Sequence, residues 1–226
     1  MQTLFKNATV IDGSGGERFI ADVSISGARI TAVVQDSRID STDSSRKIID
    51  ATGMVLCPGF IDAHTHDDRA VLAYPDMTPK VTQGVTTVVT GNCGISIAPL
   101  AGHAPVPPLN LLGEQEEWNF PDFESYAEAL DKSPAAVNSV MLTGHSTLRV
   151  GAMDALDKPA SRSELDLMCS RLDQSLNAGS AGFSTGLAYP PAINSTPAEI
   201  TELVAVVKDH QGVYNHAHER RRRWRC

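Results

Sequence analysis

The first sixty residues alternate. In "TLFKNATVID", "ADVSISGARITAVV" and "RKIIDATGMVLCPGFID", β-branched and apolar residues recur in stretches of period two, punctuated by Gly and Ser. That is the pattern of half-buried strands joined by turns. Turns are predicted at "DGSGG", Asp12 to Gly16, and in "SGAR" around Gly27. No segment here carries a helical period, so residues 1–58 are predicted to form a small β unit.

From Gly59 onward the pattern changes. Short apolar runs, Gly59–Ala63, Gly84–Thr90, Val137–Thr143, Ala181–Ser184 and Gly212–Asn215, read as strands. Between the later ones lie amphipathic stretches with recognisable starts. Ser161 with Glu164 three residues on forms a capping box, and that helix is predicted to stop near Gly179. Thr196 as N-cap, Pro197 at N1 and Glu199 at N3 open a second helix, predicted to stop near Gly212. "DFESYAEALDK" is a third. Apolar strands alternating with amphipathic helices predict an α/β fold of βα units on a parallel sheet. Residues 99–121 are proline-rich without a period, either a functional loop or a poorly ordered one.

Composition narrows the class. A chain of 226 residues, 42% hydrophobic, can bury a sizeable core. A formal net charge of -8 argues against a polyanionic partner, so no nucleic acid is expected. The four cysteines, Cys57, Cys93, Cys169 and Cys226, are scattered with no CxxC pairing, unlike a disulfide scaffold. There is no basic segment followed by an apolar one at the N-terminus, and no apolar run near the ~20 residues of a membrane span. A soluble cytoplasmic protein without a membrane partner is expected.

In α/β barrels the working residues sit where strands end and βα loops begin. The first exit, "CPGFIDAHTHDD", carries His64 and His66. Residues i and i+2 of an extended segment project to one face, so the two imidazoles could share a cation, or be unrelated surface histidines. The second exit places Cys93 in "GNCGIS", where a thiolate would be a good zinc ligand; Cys57 and Cys169 read as small buried hydrophobes. The third exit carries His145 and Arg149, the fourth Ser184, Thr185 and Tyr189, the fifth His216 and His218. Five exits with polar groups on otherwise apolar strands favour a metal site. His145 either faces the pocket or caps a strand, and Arg149 pairs with a substrate carboxylate or a structural anion. Asp62 is expected to be an outer hydrogen-bond acceptor. Asp67 and Asp68 are expected in an exposed loop, although one could orient an imidazole, and His103 and His210 at the surface.

The motifs "PGFIDAHTHDD", "VTQGVTTVVTGNCGIS", "TGHSTLRVGAM" and "AGFSTGLAYPP", with the opening "NATVIDGSGG" and "GARITAV", resemble those of the N-acyl-D-amino-acid deacylases (D-aminoacylases) of the amidohydrolase superfamily. The resemblance runs from about residue 3 to 215. It implies a TIM-like (β/α)8 barrel, here about five strands, preceded by a small β-sandwich portion. Residues 59–215 would be the first part of the barrel. It also implies a Zn2+ site with His64, His66 and Cys93 as ligands, Tyr189 as a substrate-contacting residue, and hydrolysis of N-acyl-D-amino acids to a carboxylate and a free D-amino acid. Zinc as a Lewis acid would activate water for attack on the amide carbonyl. The fourth exit lacks the lysine that many relatives use as a metal ligand, which disfavours dihydropyrimidinases.

Two features depart from the family. Its proton-shuttling aspartate belongs near an eighth strand, whereas about five strands are present, so this chain is expected to be an N-terminal half. A truncated, non-catalytic zinc-binding fragment is the alternative to an enzyme. At the fifth exit the family's ligand histidine falls on Ala217, with His216 and His218 on either side. The residues that follow, "ERRRRWRC", suggest a non-native, frame-shifted tail over 216–226 rather than a basic binding segment.

Overall fold

The computed structural model describes residues 2–35, 39, 45–102, 106–113 and 119–217; the expectations for His103, His218 and the arginine tail lie outside them. The chain divides into two compact units, Met1–Gly59 and Phe60–Cys226.

The first unit is a five-stranded sheet. β1 (Gln2–Val10), β2 (Phe19–Ser26) and β3 (Arg29–Val34) form an antiparallel meander, and β1 pairs in parallel with β4 (Arg46–Asp50) and β5 (Val55–Leu56). A bulge between Phe5 and Ala8 holds Asn7 at φ 56°, and the Asn7 N–H donates to Asp22 Oδ1 at 2.9 Å. The period-two pattern resolves into one buried face of Ala8, Val10, Ala21, Val23 and Ala51. The predicted run 46–62 is broken by a turn at Gly53, φ 77°, which divides β4 from β5.

The second unit carries five parallel strands in chain order: β6 (Phe60–Asp62), β7 (Val85–Thr90), β10 (Asn138–Gly144), β11 (Gly182–Thr185) and β12 (Val213–His216). Sequential order and uniform direction are the topology of a partial (β/α)8 barrel, as expected from the sequence. Short helices α1 (Ala70–Ala73) and α2 (Thr78–Val81) follow β6; α3 (Phe123–Lys132) precedes β10; α4 (His145–Ala152) and α5 (Arg162–Asn177) follow it; α6 (Pro197–Asp209) joins β11 to β12. The predicted caps form. The Ser161 Oγ accepts from the Glu164 N–H while Glu164 Oε2 accepts from the Ser161 N–H at 2.6 Å, and Thr196 Oγ1 accepts from the Glu199 N–H. Helix α6 stops at Asp209, near Gly212 as expected, and Gln211 takes the left-handed position at φ 56°.

Helices and sheet meet in a core of Leu148, Leu165, Met168, Leu172, Leu176, Phe183, Leu203 and Val207. Each such fully buried side chain contributes about 1.5–3 kcal/mol. A second core, of Ile95, Ile97, Leu100, Leu109 and Leu112, is built from the loop after β7 and the proline-rich stretch. That stretch is therefore no open loop where it is described. It folds as β8 (Leu100–Ala101) paired with β9 (Asn119–Phe120) and a single turn over Leu109–Leu112 that buries two leucines. Among the described residues no helix is long and apolar enough to cross a membrane.

Candidate metal centre

β6 and β7 are neighbours, with Asp62 opposite Val88, so the segments leaving them run side by side. The first delivers His64 and His66, whose rings meet edge to face at 5.9 Å. The second delivers Cys93. Nε2 of His64 lies 3.0 Å from the buried Sγ of Cys93, and one donor atom from each of His64, His66 and Cys93 lies within 4.8 Å of the others. Two imidazoles and a thiol are a soft-to-borderline donor set of the kind that selects zinc and related ions. At that spacing a small shift of the side chains places all three within bonding reach of one cation.

The turn that presents the thiol is tightly specified. Cys93 stands at φ 56°, between Gly91 at φ 73° and Gly94 at φ 76°. A β-carbon on Gly91 would fall 1.9 Å from the carbonyl oxygen of Leu142, so only glycine lets the loop cross β10 there. Ser184, buried on β11, closes the turn from below: its hydroxyl accepts the Gly94 N–H at 2.9 Å and donates to the Gly91 carbonyl. Asp68 ties down both flanks, accepting the Gly91 N–H on Oδ2 at 3.2 Å and the Ile97 N–H on Oδ1 at 3.4 Å, while Tyr126 OH donates to its carbonyl at 2.7 Å.

The surroundings of His66 favour its neutral form. Burial, and then the nearby His64, push the His66 pKa below its ordinary value, so its lone pair is available. Lys80 donates to Asp62 at 2.7 Å and lies 2.9 Å from Asp67. The Lys80 hydrogen bond lowers the Asp62 pKa and occupies the carboxylate, consistent with the outer role expected for it. Asp68 is not in an exposed loop as anticipated: it is 1% exposed, and burial, opposed by the two N–H donors, pushes its carboxyl up to about 7.

The other exits divide. His145 and Arg149 are fully buried and converge on Glu199 of α6: His145 Nε2 lies 2.8 Å from Oε1, and Arg149 Nη1 donates to both carboxylate oxygens at 2.6 and 2.7 Å. Arg149 also donates to the carbonyls of Pro191 and Lys158, so its partners are structural. Tyr189 is half-buried, packs against the core that includes Cys93, and lies next to Gly186. His216 ends β12 with Nδ1 2.8 Å from Thr185 Oγ1; it is not among the three mutually close donors. His210 pairs with Asp173 at 2.7 Å near the surface. The sequence marks Glu199 only as an N3 residue and Ser184 only as a polar group of the fourth exit; nothing in it says that the helix start faces a buried arginine or that the serine closes the Cys93 turn.

Comparison with known proteins places this geometry. The profile of the Amidohydrolase family matches residues 47–213. The chain is similar to the D-aminoacylase of Alcaligenes xylosoxydans xylosoxydans, 45% identical over 211 residues, covering 93% of this chain and 43% of that protein. It superposes on a solved D-aminoacylase described as having a binuclear metal centre with a TM-score of 0.89 at 46% identity, covering 95% of this chain and 44% of the other. It likewise superposes on the N-acyl-D-glutamate deacylase of Bordetella bronchiseptica, complexed with zinc and a phosphonate inhibitor, with a TM-score of 0.84 at 36% identity, covering 95% and 44%. The chain thus spans less than half the length of these relatives. With the family profile matched across most of its length, the chain belongs to the amidohydrolase family.

Proposed function

We propose that this chain carries the metal-binding part of a zinc-dependent hydrolase that cleaves the amide bond of N-acyl-D-amino acids, releasing a carboxylate and a free D-amino acid. The observation that carries the reading is the convergence of His64, His66 and Cys93 at the exits of two adjacent parallel strands. Similarity to deacylases of D-amino acid derivatives supplies the substrate class. When bound, zinc supplies Lewis-acid activation of water and of the amide carbonyl. His64 and His66 through a ring nitrogen each, and Cys93 through its sulfur, would hold it; Asp62 and Asp67 are engaged by Lys80. Tyr189 borders the substrate, and His216 or His218 adds a further ligand once the rest of a barrel surrounds the site. A thiol ligand needs reducing surroundings, which fits a cytoplasmic setting. Among the described residues no carboxylate joins the three close donors. The chain covers 43% of the D-aminoacylase it matches, and alone it is expected to bind zinc without appreciable turnover.

A chimera tests this. Residues 3–215 replace the matching stretch of the Alcaligenes D-aminoacylase, and release of amino acid from N-acetyl-D- and N-acetyl-L-substrates is measured with zinc. D-selective, zinc-dependent release is expected from the chimera, and none from the 226-residue chain. A folded, zinc-loaded chimera that leaves the D-substrates intact would overturn the functional reading. Turnover by the chain alone would overturn its inactivity.

A further inference from the structure

A side chain beside the thiol, Asn92, connects all the segments that matter. It is fully buried. Its Nδ2 donates to the carbonyl of Val89 at 2.8 Å and to that of Thr65 at 3.3 Å, while its Oδ1 accepts from Asn215 Nδ2 at 2.6 Å. Thr65 is the residue between His64 and His66, and its N–H and hydroxyl both return to the same Val89 carbonyl, at 3.1 and 2.9 Å. One carboxamide thus joins the histidine segment, the strand that delivers the cysteine, and β12.

Packing does not require this. An apolar side chain of similar size would fill the space but leave the Thr65 and Val89 carbonyls with fewer donors. What the amide adds is a fixed spacing between two loops that would otherwise be set only by their parent strands. The left-handed Cys93 gives that spacing its value, because a residue in that region persists only where its surroundings over-determine it. We propose that Asn92 is a positioning residue: it sets the distance from the Cys93 thiol to the two imidazoles and couples that distance to the seating of β12 through Asn215. The inference rests on the metal-binding reading above. Coupling of this kind is reciprocal, so an ion gripped by the three donors firms up β12, and loosening β12 weakens the grip.

The experiment is a Co2+ titration of the 226-residue chain, read by the near-ultraviolet thiolate-to-cobalt charge-transfer band. Asn92→Ala is expected to weaken Co2+ binding about 10–100-fold, the usual effect of losing an outer partner of a metal ligand, with the band recovered at high cobalt. Asn215→Ala, which supplies no donor to the ion, is expected to weaken it by a smaller factor. Leu172→Ala, in the core under α5, is expected to lower the melting temperature without moving the cobalt affinity, which separates positioning from general loosening. Hydrogen exchange at residues 213–216 is expected to slow on adding cobalt to the parent chain, and to respond less in Asn92→Ala. Parent-like affinity in Asn92→Ala would overturn the proposal. Should that variant not fold, parent-like affinity in Asn215→Ala would do so. A parent chain that shows no thiolate band would instead defeat the metal reading itself.

Discussion

Cysteine in the left-handed region is an unusual way to present a thiol, since backbone strain of that kind costs on the order of 1–3 kcal/mol. The surroundings of Cys93 show how it is held: a glycine on each side, a serine hydroxyl beneath, and Asp68 on both flanks. Gly91→Ala is expected to destabilise the chain by more than about 2 kcal/mol, because its methyl would enter the Leu142 carbonyl at a positive φ; urea unfolding checks this, and a change below 0.5 kcal/mol would contradict it. Cys93→Ser leaves that backbone intact, and should reduce zinc affinity beyond the ~10–100-fold of an outer partner with little change in unfolding, measured by competition with a chromophoric chelator. The histidine pair was legible in the sequence because period two fixes the shared face. Cys93 was legible from its flanking glycines. The burial of Asp68 was not, since "DD" after a strand reads as solvated and only the return of the 91–97 loop covers the second aspartate.

Among the elements, those with amphipathic periods and caps were the readable ones, α3, α5 and α6. Helix α4 escaped because six of its eight residues are buried, from His145 to Val150, and its polar side chains His145, Ser146, Thr147 and Arg149 are among them instead of marking a solvated face. The bonds that hold it are equally unreadable. His145, Arg149 and Glu199 clasp α4 to α6, and only tertiary structure brings residues so far apart in sequence together. This clasp fixes a pH response. Burial chiefly, with Arg149, pushes the His145 pKa below its ordinary 6.5. Burial acts to raise Glu199, but the hydrogen bonds from His145 and Arg149 outweigh it and hold the group below 4.5. The buried His145 Nδ1 has no hydrogen-bond partner, as expected of a neutral ring donating through Nε2. Both groups take up protons more readily in the unfolded chain. The clasp's own contribution is therefore full at neutral pH, falls from about pH 6.5 downward through His145, and falls again below about 4.5 through Glu199, while Asp68, with its raised carboxyl, acts in the opposite sense. Urea unfolding at pH 7.5 and 5.5 should show a smaller acid loss in His145→Asn than in the parent. An equal or larger loss would contradict the assignment.

At the scale of the whole molecule, strands that a closed parallel barrel would bury on both faces stand partly open. Phe60 and Ile61 of β6 are 58% and 66% exposed, and Val213 of β12 is 58% exposed. On the N-terminal sheet, Ile30 is 67% and Val55 55% exposed. The relatives are more than twice as long as this chain, and apolar strand surfaces of this kind drive association. The 226-residue chain is expected to self-associate at micromolar concentration, seen by sedimentation velocity as mass rising with loading; a concentration-independent monomer would contradict this. The order and direction of the strands were legible because each βα unit repeats one pattern of apolar run, loop and capped helix. The packing of residues 99–121 was not, because proline-rich sequence without a period gives no sign of what it covers. X-ray absorption at the zinc edge of the loaded chain tests the central claim most directly. Three donors from two neighbouring strands predict one sulfur at about 2.3 Å together with nitrogens at about 2.0–2.1 Å, and loss of the sulfur in Cys93→Ser. A shell of nitrogen and oxygen alone, unchanged by that substitution, would contradict it.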